Sequence, residues 1–118
     1  MSNFELLSEM KDGIQILKLS GYLGPTDVKN FESEVMTMLR EKKNYIIMDF
    51  SNCSIVTSPG IAKILELSTK IEEVFFGRLA FTGLDKLKIR TFTIAGLLPS
   101  IPNEPGLSEA IEDMKKEM

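Results

Sequence analysis

Residues 45–62 read YIIMDFSNCSIVTSPGIA. Tyr45 to Phe50 is a compact apolar run rich in strand formers and reads as the central strand of the sheet. The next residues turn polar and small, so an eight-residue loop is predicted from Ser51 to Ser58. A helix then opens through Ser58-Pro59-Gly60. Ser58 suits the N-cap, where a hydroxyl accepts from an orphan N–H of the first turn. Pro59 suits the first helical position and disfavours the α region at the residue before it. That structural reading is complete without any function. A second reading takes Ser58 as a hydroxyl displayed at the positive end of a helix, where a phosphate would meet free N–H groups and a favourable dipole.

Outward from this corner, strand and helix signals alternate to both ends. Toward the N-terminus, IQILKLSGYL (residues 14–23) puts Ile14, Ile16 and Lys18 on one face and Gln15, Leu17 and Leu19 on the other. Asp12-Gly13 is a hairpin signal linking it to a short first strand at Phe4–Leu7. Between the strands, Gly24-Pro25 opens a helix whose apolar face is Val28, Phe31, Val35, Met38 and Leu39. Toward the C-terminus, Ile61, Ile64, Leu65, Ser68 and Ile71 outline the helix after Ser58, with Lys63, Glu66 and Lys70 on its polar side. Val74-Phe75-Phe76 at its end reads as core. Arg78 to Thr82 is a strand, Asp85 to Ala95 a helix stopped by Gly96, Ser100 to Pro102 a last short strand. Leu107, Ala110, Ile111 and Met114 mark a terminal helix. The expected fold is α/β: a mixed sheet of four or five strands with four helices, mainly on one face, in one domain over residues 1–118.

Composition removes most chemistries. The chain has 118 residues, 14 Lys+Arg against 17 Asp+Glu for a net charge of −3, no histidine and one cysteine. Without histidine there is no imidazole base, no His-ligated metal and no phosphohistidine. The lone Cys53 forms neither an internal disulfide nor a CxxC pair, which favours a reducing, cytoplasmic setting. It has no neighbouring cation in sequence, so an inert thiol is expected. No apolar run approaches the ~20 residues of a membrane span, the N-terminus lacks the apolar core of a signal peptide, and mild acidity offers no overall attraction to nucleic acid. No phosphate loop of the G-x-x-x-x-G-K-[ST] kind is present. Neither cofactor nor metal is implied, and an enzyme is the least favoured class.

The conjunction of ILKLSGYL, the helix from Pro25, YIIMDFS with its loop and S-x-G helix start, FTGLDKLKIRTFTIAGL and the closing EPGLSEAIEDM resembles a STAS domain of the bacterial anti-sigma factor antagonist type, over nearly the whole chain. The resemblance implies a non-enzymatic protein that binds an anti-sigma factor, often a serine kinase, and so frees a sigma factor. In that family the kinase phosphorylates a serine in an Asp-Ser-Ser-Gly-like motif, which weakens binding, and a phosphatase reverses it. Here the matching stretch is Thr57-Ser58-Pro59-Gly60, with Ser58 at the phosphoacceptor position. The partner surface implied comprises Gly21, Tyr22, Gly24, Thr57, Ser58, Pro59, Gly60 and Lys63. Thr57 stands where the family usually has aspartate, Pro59 where a second serine or threonine is common, and Gly24 where the preceding loop often carries aspartate. Losing nearby carboxylates either eases a phosphate at Ser58 or marks a site that has lost its regulation. The rival to the switch is a phosphorylation-independent STAS-like adaptor, or a subunit of a signalling or lipid-transport assembly.

Three further expectations follow from the residues. Asp49 reads as a hydrogen-bond acceptor that organises the loop, not as a catalyst. Lys86, Lys88 and Arg90 read as a solvated helix face, with a docking patch as the alternative. Lys63 reads as a surface lysine without a partner, its place at a partner interface coming only from the resemblance.

Overall fold

The computed structural model describes residues 3–118; Met1 and Ser2 lie outside the described residues. Strand β1 (Glu5–Lys11) and β2 (Ile14–Leu23) form an antiparallel hairpin. Its two-residue turn places Asp12 at φ 54° and Gly13 at φ 82°, the left-handed pair that matches the twist of the flanking strands. A single 3-10 turn (Pro25–Asp27) leads into helix α1 (Val28–Arg40). Strand β3 (Tyr45–Val56), helix α2 (Ser58–Thr69), strand β4 (Arg78–Thr82), helix α3 (Lys86–Ile94), strand β5 (Asn103–Glu104) and helix α4 (Leu107–Lys115) follow. The sheet order is β1-β2-β3-β4-β5, with every pair after the hairpin parallel.

The alternation of side chains along the strands sorts the core onto two faces. Leu17, Leu19, Met48, Phe50, Leu79 and Phe81 meet Phe31, Val35, Ile64, Leu67 and Phe92 from α1, α2 and α3. Phe50, Phe81 and Phe92 pack edge to face, with centroids 5.3–5.7 Å apart, the arrangement the ring quadrupoles favour. On the opposite face Ile14, Ile16, Ile47 and Ala80 are covered by Ala110, Ile111 and Met114 of α4. Three helices therefore lie on one face and one on the other.

Four expectations need correction. The first strand runs on to Lys11 because it pairs with β2 along its full length, from Glu5↔Ser20 to Lys11↔Ile14. The predicted loop from Ser51 is strand as far as Val56: Ser20↔Asn52, Gly21↔Cys53, Tyr22↔Ile55 and Leu23↔Val56 continue the β2–β3 ladder through two register shifts. Such irregularities bend a strand and increase its twist without ending it. Ser100–Pro102 is a turn, and the last strand is Asn103–Glu104, paired with Phe81 and Thr82. Of Val74-Phe75-Phe76, only Phe75 packs on the core, while Val74 is 60% and Phe76 80% exposed. There α2 loosens into a π turn (Lys70–Val74) and the chain reverses at Phe76, φ 55°. The reversal is braced by Asn44, whose Nδ2 donates to the Phe75 carbonyl at 2.7 Å and whose carbonyl accepts from Arg78 N at 3.0 Å.

Candidate functional site

The β3–α2 corner sits beside the end of β2. Thr57 N donates to the Leu23 carbonyl at 3.1 Å, and the Thr57 hydroxyl donates to the same oxygen at 2.8 Å. Thr57, with extended backbone, therefore holds the cap position of α2. Ser58 is the first helical residue, one place later than its sequence reading. The extended ladder brings Thr57 against Leu23 and takes its hydroxyl away from capping. Neither hydroxyl caps the helix, and Ile61 N closes the first turn onto the Thr57 carbonyl at 2.9 Å.

Ser58 is exposed, and its hydroxyl makes no hydrogen bond among the described residues. Pro59 follows, also exposed, and removes one of the N–H donors of the first turn. Gly60 is buried, and a Cβ there would lie 3.1 Å from side-chain atoms of both Leu23 and Val56. Glycine thus lets α2 start close against the ends of β2 and β3. Gly21, at φ 84°, passes so near the Asn3 carbonyl that a Cβ would collide with it, so both its backbone and its space favour glycine. Its carbonyl accepts from the Ser54 hydroxyl at 3.0 Å. Gly24 is buried, with its N–H donated to the Asp27 carboxylate at 3.1 Å, and Tyr22 is 40% exposed beside it. The structure thus brings Thr57, Ser58, Pro59 and Gly60 together with the end of β2, while Gly21 lies two residues back along the ladder.

Lys63 is placed differently from its sequence reading. Its amine donates to Glu32 of α1 at 3.0 Å and to Glu66 one turn along α2. Hydrogen bonding to Glu66 first, then Glu32, raises the amine above its ordinary pKa, and the Glu66 carboxyl is correspondingly lowered by Lys63. The lysine clasps α1 to α2 and is not a free cation.

Lys88 also overturns its reading as part of a solvated face. Lys86 and Arg90 are exposed, but Lys88 is 4% exposed. Its amine donates to the Ser54 carbonyl at 3.2 Å and to Asp85 Oδ2 at 3.0 Å. The Asp85 carboxylate caps α3 by accepting from Lys88 N at 2.9 Å. That backbone bond, followed by the amine, holds the Asp85 carboxyl below its usual value. Cys53 is buried, and burial raises its thiol pKa. Asp49 accepts from both the N–H and the hydroxyl of Ser51, at 2.9 and 2.6 Å, the organising role expected of it.

Sequence reading missed one feature. Between α2 and α3 lies a groove of about 450 Å³ lined by Ser58, Ile61, Ala62, Leu65, Thr91, Ile94 and Ala95. No charged side chain lines it. Leu65 and Ile94 are 42% and 78% exposed. The signal was present as two stripes at helical spacing, 58-61-62-65 and 91-94-95, but the juxtaposition of the stripes comes from the packing of α3.

The STAS domain family model matches residues 6–111. Comparison with curated protein sequences finds no match. Solved structures share the fold at low identity. An anti-sigma factor antagonist from Mycobacterium paratuberculosis has a TM-score of 0.85 at 18% identity, with 96% of this chain and 95% of that one covered. The phosphorylated form of the Bacillus cell fate determinant SpoIIAA has a TM-score of 0.73 at 22% identity, covering 92% and 98%. The murine anion transporter Slc26a9 has a TM-score of 0.76 at 15% identity, covering 98% of this chain and 22% of that one.

Proposed function

This chain belongs to the STAS domain family, and from that premise we propose that it is an anti-sigma factor antagonist switched by phosphorylation at Ser58. The reading rests on one observation: an exposed, unbonded serine hydroxyl opens α2 at the rim of an uncharged groove. The partner is an anti-sigma factor, itself a serine kinase, that seats over Ser58 and the Tyr22–Gly24 turn. Binding releases the sigma factor. As in other phosphoryl transfers, the γ-phosphoryl of ATP passes to Ser58 Oγ, the hydroxyl proton goes to a base of the kinase, and ADP leaves. Hydrolysis by a serine phosphatase releases phosphate and restores the hydroxyl.

The electrostatics support a switch of this polarity. A phosphoserine adds about −1.5 to −2 charges, and Ser54 to Ala62 contains no charged residue. Lys63, the nearest cation along the helix, is already held by Glu32 and Glu66. The phosphate therefore keeps its hydration, and a partner surface laid over the groove would have to strip it. The existence of a phosphorylated form of a protein with this fold is consistent with the reading. The protein itself carries out no catalysis in this proposal and works in the cytoplasm as a regulator. Incubation with an anti-sigma-type serine kinase and ATP, followed by tandem mass spectrometry, is expected to place one phosphoryl group on Ser58. Absence of modification, or equal modification of Ser58→Ala, overturns the switch.

A second reading has its own support. The Thr57 hydroxyl is spent on Leu23, and Thr57 and Pro59 replace the residues usual around the acceptor. The fold also occurs within the much larger Slc26a9 chain. In this reading the domain is a phosphorylation-independent adaptor, or a subunit of a signalling or lipid-transport assembly. Capture of a transporter or scaffold with the same affinity by wild type and Ser58→Asp distinguishes it.

A further inference from the structure

The two edges of the sheet differ. β5 is two residues long, whereas β1 offers seven, all exposed except Leu6. That is an open edge of about 24 Å at ~3.4 Å per residue. Leu7 is 67% and Met10 47% exposed. Long free edges with apolar side chains are templates for another strand, and β1 has the sequence ELLSEMK.

The backbone parity of β1 follows from its turn. In a two-residue hairpin the residues flanking the turn form a hydrogen-bonded pair. Lys11↔Ile14 is that pair, and Glu9↔Ile16, Leu7↔Lys18 and Glu5↔Ser20 follow it. The Glu9 carbonyl, turned toward β2, also accepts from Gln15 Nε2 at 3.1 Å. The N–H and C=O groups of Leu6, Ser8 and Met10 therefore face outward, with no strand of the described residues beside them.

We propose that β1 pairs antiparallel with β1 of a second copy of this chain, about a two-fold axis through Ser8. In that register Ser8 meets Ser8 and Leu6 meets Met10, which joins outward-facing backbone groups only. Between them lie the closer, non-hydrogen-bonded pairs, Glu5 opposite Lys11 and Leu7 opposite Glu9. Neither Glu5 nor Lys11 has an ion pair among the described residues, so each is free for the other. Shifting the axis by one residue to Leu7 sets Glu5 against Glu9, and shifting it to Glu9 sets Glu9 against Glu9. Like charges directly opposite are destabilising. An axis between two residues would oppose an outward-facing residue to an inward-facing one and lose the ladder. Hydrogen-bond parity thus places the axis on a residue, and charge favours Ser8 over the neighbour on either side. The charges that discourage other strands on this edge admit this one.

A single-strand interface is small and belongs to the weak class, so the association is expected to depend on concentration. Sedimentation equilibrium of the whole chain, from micromolar to millimolar, is expected to show the mass rising from one chain toward two. Ser8→Pro removes an outward N–H that β2 does not use, a position where an edge strand accepts proline, and is expected to hold the chain monomeric. Lys11→Glu puts like charges opposite at both symmetric positions and is expected to weaken pairing about tenfold or more. Glu5→Lys combined with Lys11→Glu is expected to restore it. A wild-type chain that stays monomeric throughout, a dimer indifferent to Lys11→Glu, or a double swap that fails to restore it overturns the proposal. The charge variants decide the matter if Ser8→Pro does not fold.

Discussion

At the start of α3 the polar side chains are engaged: Asp85 accepts from the Lys88 N–H and amine, and the same amine holds the Ser54 carbonyl of β3. At the start of α2 the opposite holds. Thr57 spends its hydroxyl on β2, and Ser58, next along, finds no partner for its own among the described residues. Both are strand-to-helix corners on the same side of one sheet, but only the α2 corner reaches the groove between the helices, whose α3 wall is Thr91, Ile94 and Ala95 at the far end of that helix. The difference separates two uses of polarity. A polar group that the fold consumes is visible through its partners. One that the fold leaves exposed and unbonded, on a backbone held in place by Gly60 and Leu23, is available to something outside the molecule.

The largest effect is expected from removing the anchor of the α3 wall. Phe92→Ala should cost about 3–5 kcal/mol of stability, the range for deleting a fully buried aromatic ring, read as a lower urea midpoint. A change under 1 kcal/mol would mean that α3 is not held by the Phe50–Phe81–Phe92 cluster.

Lys88→Ala comes next. It leaves the Ser54 carbonyl without its donor and opens space in the core, for about 2–3 kcal/mol. Ser58→Ala, the corresponding truncation at the other corner, should stay within about 0.5 kcal/mol, as exposed substitutions without partners do. Equal effects at the two positions, measured by urea unfolding, would erase the contrast between a consumed and a spare polar group.

Partner capture should reverse that ranking. Under the proposed function, Ser58→Asp is expected to weaken binding to the proposed anti-sigma partner by about tenfold, or ~1.4 kcal/mol, with the melting temperature unchanged. Lys86→Ala, on the exposed face of α3, should leave binding as it is. Titration calorimetry checks both, and equal losses would move the interface away from the α2 corner.

The smallest effect is acid sensitivity. The folded-state pKa of Asp85 lies below its ordinary value of 3.8. Its contribution to stability is therefore fully present above that value and is lost as pH falls through the lower folded pKa. Asp85→Asn should flatten stability across this acid limb, whereas Ser58→Ala should leave the limb intact. A limb unchanged in Asp85→Asn would place the acid response elsewhere.

Much of this architecture can be read locally. The hairpin at Asp12-Gly13, the α1 face from Val28 to Leu39, the core strand from Tyr45 and the stop at Gly96 each follow from spacing or turn chemistry within a dozen residues. Hydrophobic periodicity records which side of an element is buried, because burial acts on every turn or every second residue alike. The serine at the corner was also legible, since Ser-Pro-Gly after a buried strand marks a helix start wherever it occurs. Family membership rests on the same information: a sequence pattern spread over residues 6–111.

The remainder depended on residues far apart in the chain. Ser51 to Val56 lacks the composition of a strand and is one because β2 supplies the ladder. Lys88 lies beneath the surface because a carbonyl 34 residues away accepts its amine. Phe76 is apolar yet exposed because the π turn and Asn44 set where the chain reverses. The cap passed from Ser58 to Thr57 for the same reason, a hydrogen bond to Leu23. Local pattern constrains the average environment of an element, whereas a single polar group is settled by whichever partner the packing brings within about 3 Å. The succession of strands and helices and the helix faces therefore follow from the pattern of residues. The freedom of one hydroxyl and the confinement of one lysine exist only once α2 and α3 are folded against β2 and β3.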